Sequence, residues 1–258
     1  MIRGVLMDID GTTLLGTEPL PGAIELEAFL RARDMPYCWV TNNTSRSKRG
    51  WIERLRAAGL DPKPKHVYTA GDATIDHLLG MDPVPRVYLV GTDDLRADFD
   101  AAAVPLDDDE PQVVVLGYDT SLTYAKLERA ALLLQRGLPF LATHPDVTCP
   151  TPDGPIPDVG SFIALFETAC GRTPQVIGKP EPTMLDGALR RLGVGATEAV
   201  MIGDRLGTDM RMANRAGVPS WLMLTGVTGR DTEASPPDAP RRVFSSLDGV
   251  REALQEGA

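Results

Sequence analysis

No stretch of this sequence is apolar for long enough to cross a bilayer: runs such as Ala130–Leu134 and Phe162–Phe166 stop at five residues. A secretory hydrophobic region is also missing from the charged start Met1–Asp10, so the expected address is the cytoplasm. Cysteine is scarce. Cys38, Cys149 and Cys170 are far apart, show no CxxC spacing and are odd in number, which excludes a disulfide scaffold and suits a reducing compartment. Positive charge is in deficit, with 26 Lys and Arg against 36 Asp and Glu, and the net −10 opposes attraction to nucleic acid or anionic lipid. The three histidines share no metal-ligand spacing, and no internal repeat recurs at a fixed period.

What remains is an ordinary globular composition, 43% hydrophobic and 24% charged, on 258 residues, enough for one large α/β domain or two smaller ones. Short apolar runs alternate with helical periodicity. Gly4–Met7 predicts a buried strand, Leu26, Phe29 and Leu30 a helix face, and Tyr37–Val40 a second strand. A helix marked by Trp51, Leu55 and Ala58, a strand at Val67–Thr69 and a helix with Ile75, Leu78 and Leu79 continue the pattern. At Met81–Pro85 two prolines break it, and a new α/β alternation begins. It comprises strands at Val87–Val90, Val113–Leu116 and Phe140–Ala142, a helix with Leu127 and Leu134, a proline-rich loop Pro145–Pro157 and a helix with Phe162 and Phe166. The first pattern resumes after Ile177 with a helix through Met184 and Leu192, a strand Ala199–Ile202, a helix Thr208–Ala216, a strand Trp221–Leu224 and a last helix with Val250 and Leu254. The expected division is 1–80, an inserted 81–177, and 178–258.

Three strand ends finish in polar residues suited to phosphate chemistry: Asp8 and Asp10 after the first, Thr41 and Asn42 after the second, and Asp204 after a late one. Open parallel α/β sheets bind ligands at the carboxyl ends of their strands, so these residues can converge. Clustered carboxylates of Asp8, Asp204 and Asp209 repel one another and call for a cation, for which Lys179 and Mg²⁺ are the candidates; Mg²⁺ takes one or two carboxylates plus water and phosphate oxygens. Taken singly, each has a plainer reading: a strand-end Asp is commonly a turn residue, Thr41, Asn42 and Asp209 are helix caps, and Lys179 is a solvated lysine. Their occurrence together favours chemistry.

In order along the chain, Asp8-Ile9-Asp10-Gly11-Thr12, Thr41-Asn42-Asn43, Gly178-Lys179-Pro180 and Gly203-Asp204-Arg205-Leu206-Gly207-Thr208-Asp209 resemble the four motifs of the haloacid dehalogenase superfamily. More narrowly, nearly the whole chain is similar to its NagD-like and 4-nitrophenylphosphatase-like branch. The resemblance implies a Rossmann-like parallel-sheet core interrupted by a large α/β cap over the site, and a Mg²⁺-dependent phosphomonoesterase. It implies Asp8 as the nucleophile that becomes an aspartyl-phosphate and Asp10 as general acid and base. Metal would be held by the Asp8 and Asp204 side chains and the Asp10 carbonyl. Thr41, Asn42 and Lys179 would bind the phosphoryl oxygens, and Asp209 would reach the metal through water or hold Lys179. The partner is a small phosphorylated metabolite: a sugar phosphate, glycerol phosphate, phosphoglycolate, a nucleoside monophosphate or pyridoxal phosphate. Neither nucleic acid nor membrane is expected, and a homo-oligomer is compatible with the sequence. The rivals are a phosphomutase on the same fold and a phosphorylated signalling or binding module without turnover. The large insert and the joint presence of Asp8, Asp10, Lys179 and Asp204 argue against the second.

Overall fold

The computed structural model describes residues 1–151, 153–229 and 232–257, so Pro152 of the proline-rich stretch lies outside the described residues. The chain divides into two compact units, one of residues 1–41, 49–68 and 179–258, the other of residues 42–48 and 69–178.

The chain begins with β1 (Gly4–Met7), a hairpin of two-residue strands β2 (Leu14–Leu15) and β3 (Glu18–Pro19), α1 (Ala23–Ala32), β4 (Tyr37–Thr41), α2 (Lys48–Ala57), β5 (Val67–Thr69) and α3 (Ala70–Leu79). Next come β6 (Val87–Val90), α4 (Asp93–Ala101), β7 (Val113–Leu116), α5 (Tyr124–Gln135), β8 (Phe140–Ala142), the short strands β9 (Thr148–Cys149) and β10 (Ile156–Pro157), α6 (Val159–Cys170) and β11 (Gln175–Val176). The remainder is α7 (Pro182–Leu192), β12 (Ala199–Gly203), α8 (Arg211–Arg215), β13 (Ser220–Met223), β14 (Arg242–Phe244) and α9 (Leu247–Gln255).

The first unit holds a six-stranded sheet in the order β14-β13-β12-β1-β4-β5, parallel at each pairing from β14 to β4. Alternate residues explain its core. Val5, Met7, Tyr37, Trp39, Val200, Ile202, Trp221 and Met223 face one side, where Leu26 and Leu30 of α1, Trp51 and Leu55 of α2 and Val250 and Leu254 of α9 complete one hydrophobic cluster. The intervening Leu6, Cys38, Val40 and Met201 are buried too, and α7 packs beside β4, so both faces are covered as a parallel sheet requires. From β1 the chain runs outward to β4 and β5 on one side, then returns to β12, β13 and β14 on the other. That reversal between β1 and β12 is the switch point at which such sheets open a crevice beyond their carboxyl ends.

The second unit has its own parallel sheet, β11-β8-β7-β6, and its own core of Tyr88, Val90, Val114, Leu116, Leu133, Phe140 and Phe166. Its start differs from the expected residue 81. Thr69 caps α3, Asp72 of that helix receives Lys48 Nζ at 3.1 Å, and a Cβ on Gly71 would stand 2.9 Å from Leu95 of α4, a closeness that joins α3 to the insert. The prolines at 83 and 85 therefore mark a connection inside this unit. Within the proline-rich stretch, Thr148–Cys149 pairs antiparallel with Ile156–Pro157, so part of the expected loop is a short ladder.

Candidate active site

Register carries the polar strand ends to one edge of the first unit's sheet. Met7 pairs with Ile202 on one side and Trp39 on the other, which sets Asp8 beside the ends of β12 and β4, where Asp204 and Thr41 stand. Asp8 N donates to the Ile202 carbonyl at 2.9 Å, and Thr13 Oγ1 donates to the Asp8 carbonyl at 2.8 Å while accepting from Trp39 Nε1 at 3.2 Å. The buried indole thus anchors the backbone on which Asp8 is mounted.

Around Asp8 the structure assembles a buried ionic cluster. Lys179 Nζ lies 2.5 Å from Asp8 Oδ1 and 2.7 Å from Asp209 Oδ1, and one carboxylate oxygen from each of Asp8, Asp204 and Asp209 falls within 4.8 Å of the others. Asp209 reaches this position because the chain widens into a π-type turn over Leu206–Met210, with both Asp209 N and Met210 N donating to the Arg205 carbonyl. Arg205 N in turn donates to Asp209 Oδ2 at 3.2 Å.

Asp204 is held from the opposite side by the segment after β13. Val227 N donates to Asp204 Oδ2 at 2.7 Å, and Thr225 Oγ1 donates to the Gly11 carbonyl at 2.7 Å. No side chain fits between them: a Cβ on Gly226 would stand 2.0 Å from Asp204 Oδ2, and one on Gly11, whose φ is +84°, would stand 2.5 Å from the same atom. With Oδ2 so occupied, Asp204 Oδ1 is buried and has no hydrogen-bond partner among the described residues. An orphaned carboxylate oxygen beside two further carboxylates is the donor set of a hard divalent cation.

The electrostatics agree. Burial raises the Asp8 pKa well above the ordinary carboxylate value, and Asp209 and Asp204 add to the rise against the opposing pull of Lys179. Asp204 is pushed up to about 6, by burial first and by Asp209 second. Burial works to lower the Lys179 pKa, yet Asp209 and Asp8 outweigh it, so the ammonium is kept. With all three carboxylates ionised, the single Lys179 ammonium in the cluster would leave a formal excess of two negative charges, the charge a divalent cation neutralises.

Matches to known proteins follow the same residues. Residues 5–104 match the model of the haloacid dehalogenase-like hydrolases, and residues 176–250 match a second model described as HAD-hydrolase-like. The chain is 32% identical to an acid sugar phosphatase of Staphylococcus haemolyticus, over 99% of this chain and 98% of that one. It is also 32% identical to a 5′-nucleotidase of Bacillus subtilis, over 95% and 96%. The chain belongs to the haloacid dehalogenase-like hydrolases. Among solved structures it superimposes on a 4-nitrophenylphosphatase from Thermotoga maritima with a TM-score of 0.93 at 36% identity, covering 98% of both chains. NagD of E. coli K-12 gives 0.89 at 30% identity, covering 96% of this chain and 97% of that one. The protein is thus a haloacid dehalogenase-type phosphatase of the NagD-like branch.

Within this phosphatase the sequence-derived residues take different places. Asp8, Lys179, Asp204 and Asp209 come together, and Thr41 is buried at the same sheet edge. Asp10 instead turns its carboxylate to Arg54, with Nη2 2.8 Å from Oδ1. Asn42 is counted with the second unit, where its amide donates to Asp146 Oδ2 at 3.0 Å. Thr13, Arg54 and the Thr225–Val227 segment escaped the sequence reading. Thr13 stands beside the first motif, and Thr225-Gly226 follows a predicted strand end, which is the signal that was there to find.

Proposed function

We propose that this phosphatase hydrolyses phosphate monoesters of small metabolites through an aspartyl-phosphate on Asp8, with Mg²⁺ as its cation. The observation that carries the reading is the Asp8, Lys179, Asp204 and Asp209 cluster with its formal excess of two negative charges and the orphaned Asp204 Oδ1. Asp8 and Asp204 through their side chains, and Asp10 through its carbonyl, would hold the cation, which when bound supplies positive charge opposite the transferring phosphoryl oxygens.

In the first step an Asp8 oxygen forms a bond to phosphorus as the ester P–O bond breaks, and the departing oxygen keeps the electron pair and takes a proton from Asp10. In the second step Asp10, now ionised, takes a proton from the water that attacks the acyl phosphate, releasing phosphate and restoring Asp8. Lys179, kept in place by Asp209, offsets charge on the phosphoryl group, and Thr41 and Asn42 orient its oxygens.

Sugar phosphates and nucleoside monophosphates head the candidates, because two relatives are named for acting on such compounds. Glycerol phosphate, phosphoglycolate and pyridoxal phosphate complete the panel. Choice among them is assigned to the second unit, since apart from Asn42 the residues given to phosphoryl chemistry belong to the first. Three cysteines that form no disulfide among the described residues and an acidic composition support a cytoplasmic enzyme acting on a free metabolite. The test is phosphate release over this panel with Mg²⁺ and with chelator. Turnover of one class in Mg²⁺ that stops in chelator is expected, and undiminished turnover in chelator contradicts the cation assignment.

A further inference from the structure

We propose that Arg54 is a positioning residue for Asp10, holding its carboxyl group in the rotamer from which it exchanges protons with the leaving group. The inference rests on the reading of Asp10 as the proton carrier.

Asp10 differs from the other active-site carboxylates in having little packing to fix it. Its side chain is 40% exposed, against 11% for Asp8 and 1% for Asp209. Left to itself, a carboxylate so exposed samples several rotamers, and each one off the reaction line lowers the fraction of encounters in which a proton is transferred. Among the described residues, Arg54 is the only side chain in hydrogen-bond contact with the Asp10 carboxylate.

Arg54 is itself held before it meets Asp10. It projects from α2, its guanidinium carbon lies 4.9 Å from the ring centroid of the fully buried Trp51, and the Nη2 that contacts Asp10 also donates to the Gly16 carbonyl at 2.5 Å. Trp51 and Gly16, the latter in the turn between β2 and β3, thus fix the guanidinium from two directions. With Asp10 40% and Arg54 19% exposed, the pair is partly buried and still in reach of solvent, so its net contribution to stability is modest. A stacked cation that bridges Asp10 and the β2–β3 turn is suited to fixing a side chain. Lysine would keep the charge but lose the planar group that stacks and bridges.

The test compares kcat/KM across phosphate esters whose leaving groups range from 4-nitrophenol to glycerol, for wild type, Arg54→Met, Arg54→Lys, Asp10→Asn and the double variant Asp10→Asn with Arg54→Met. This ratio reports the steps up to departure of the alcohol. Arg54→Met keeps an aliphatic chain on Trp51 and is expected to lose about 10-fold to 100-fold with glycerol phosphate but under about 3-fold with 4-nitrophenyl phosphate, whose leaving group needs little protonation. Arg54→Lys should recover part of the loss, and Arg54→Met should add nothing once Asp10 is Asn. An equal loss on both esters, or losses that multiply in the double variant, overturns the role given to Arg54. If Asp10→Asn is selective for poor leaving groups while Arg54→Met is not, the positioning role fails alone; if Asp10→Asn is unselective, the reading of Asp10 fails and the inference falls with it. An unchanged melting temperature for Arg54→Met separates these outcomes from misfolding.

Discussion

Asp204 shows how one side chain is given a direction by its neighbours. The Val227 amide takes one of its oxygens, Gly226 and Gly11 leave room for that contact, and the other oxygen is left buried and free to ligate. Gly226→Ala should therefore weaken divalent-cation binding about 10-fold to 100-fold, the usual cost of losing an outer contact to a metal ligand. Mn²⁺ titration followed by electron paramagnetic resonance measures this directly, and affinity equal to wild type would contradict it. A different residue sets an acid limit. Burial, with help from Lys65 and Lys63, lowers the His66 pKa from 6.5 to about 4, so the unfolded chain takes up a proton between those values that the folded chain refuses. Stability is then fully present above pH 6.5 and falls as the pH drops toward 4. His66→Asn should flatten that part of the profile of melting temperature against pH; an unchanged slope would show that His66 does not set it. Residues of the first kind were partly legible: the roles proposed for Asp8, Asp10 and Asp204 rest on side chains that follow strand ends, and that of Lys179 on the Gly178-Lys179-Pro180 motif. Val227 works through a backbone amide and Gly226 through the space it leaves, and neither announces itself in a single sequence.

At the scale of elements, the longer strands other than β14 and most helices followed from apolar periodicity, because the inner strands and one stripe of each helix are buried; the two-residue strands β2, β3, β9, β10 and β11 and the largely exposed β14 carry no such pattern. Nor does helix α4. Its segment Asp93–Ala101 has only Leu95 and Phe99 as large apolar residues among four aspartates, too sparse a stripe to read, and it is fixed by tertiary contacts and by its cap. Thr92 Oγ1 accepts from Leu95 N at 3.2 Å, and Asp93 and Asp94 lie at the positive end of the helix dipole. Thr92→Ala should cost about 1 kcal/mol, read as a shift in the urea midpoint at constant slope, and a shift near zero would contradict the capping role. The expected helix Thr208–Ala216 begins instead with the wide turn Leu206–Met210. No propensity rule predicts it, because its value lies in delivering Asp209 to Lys179.

Across the whole molecule, the chain passes between its two units four times, after Thr41, Lys48, Tyr68 and Gly178. The first and last of these crossings fall within motifs, Thr41-Asn42-Asn43 and Gly178-Lys179-Pro180, while the second and third leave no break in composition, which is why the proline pair marked residue 81 instead. Two of the crossings adjoin residues assigned to phosphate, Thr41 and Lys179. The first unit contains Asp8, Asp10, Asp204 and Asp209 as well, so the residues proposed for its chemistry share one unit although Asp8 and Asp209 are 201 residues apart in sequence. The central claim is that this unit transfers phosphate to Asp8 with the help of a divalent cation. Its most direct measurement is acid-quench peptide mapping by mass spectrometry of the Asp10→Asn protein mixed with 4-nitrophenyl phosphate, with and without Mg²⁺. The account predicts phosphate on the peptide carrying Asp8 in Mg²⁺, and none in chelator or in Asp8→Asn. Phosphate on another residue, or undiminished hydrolysis by Asp8→Asn, would contradict it.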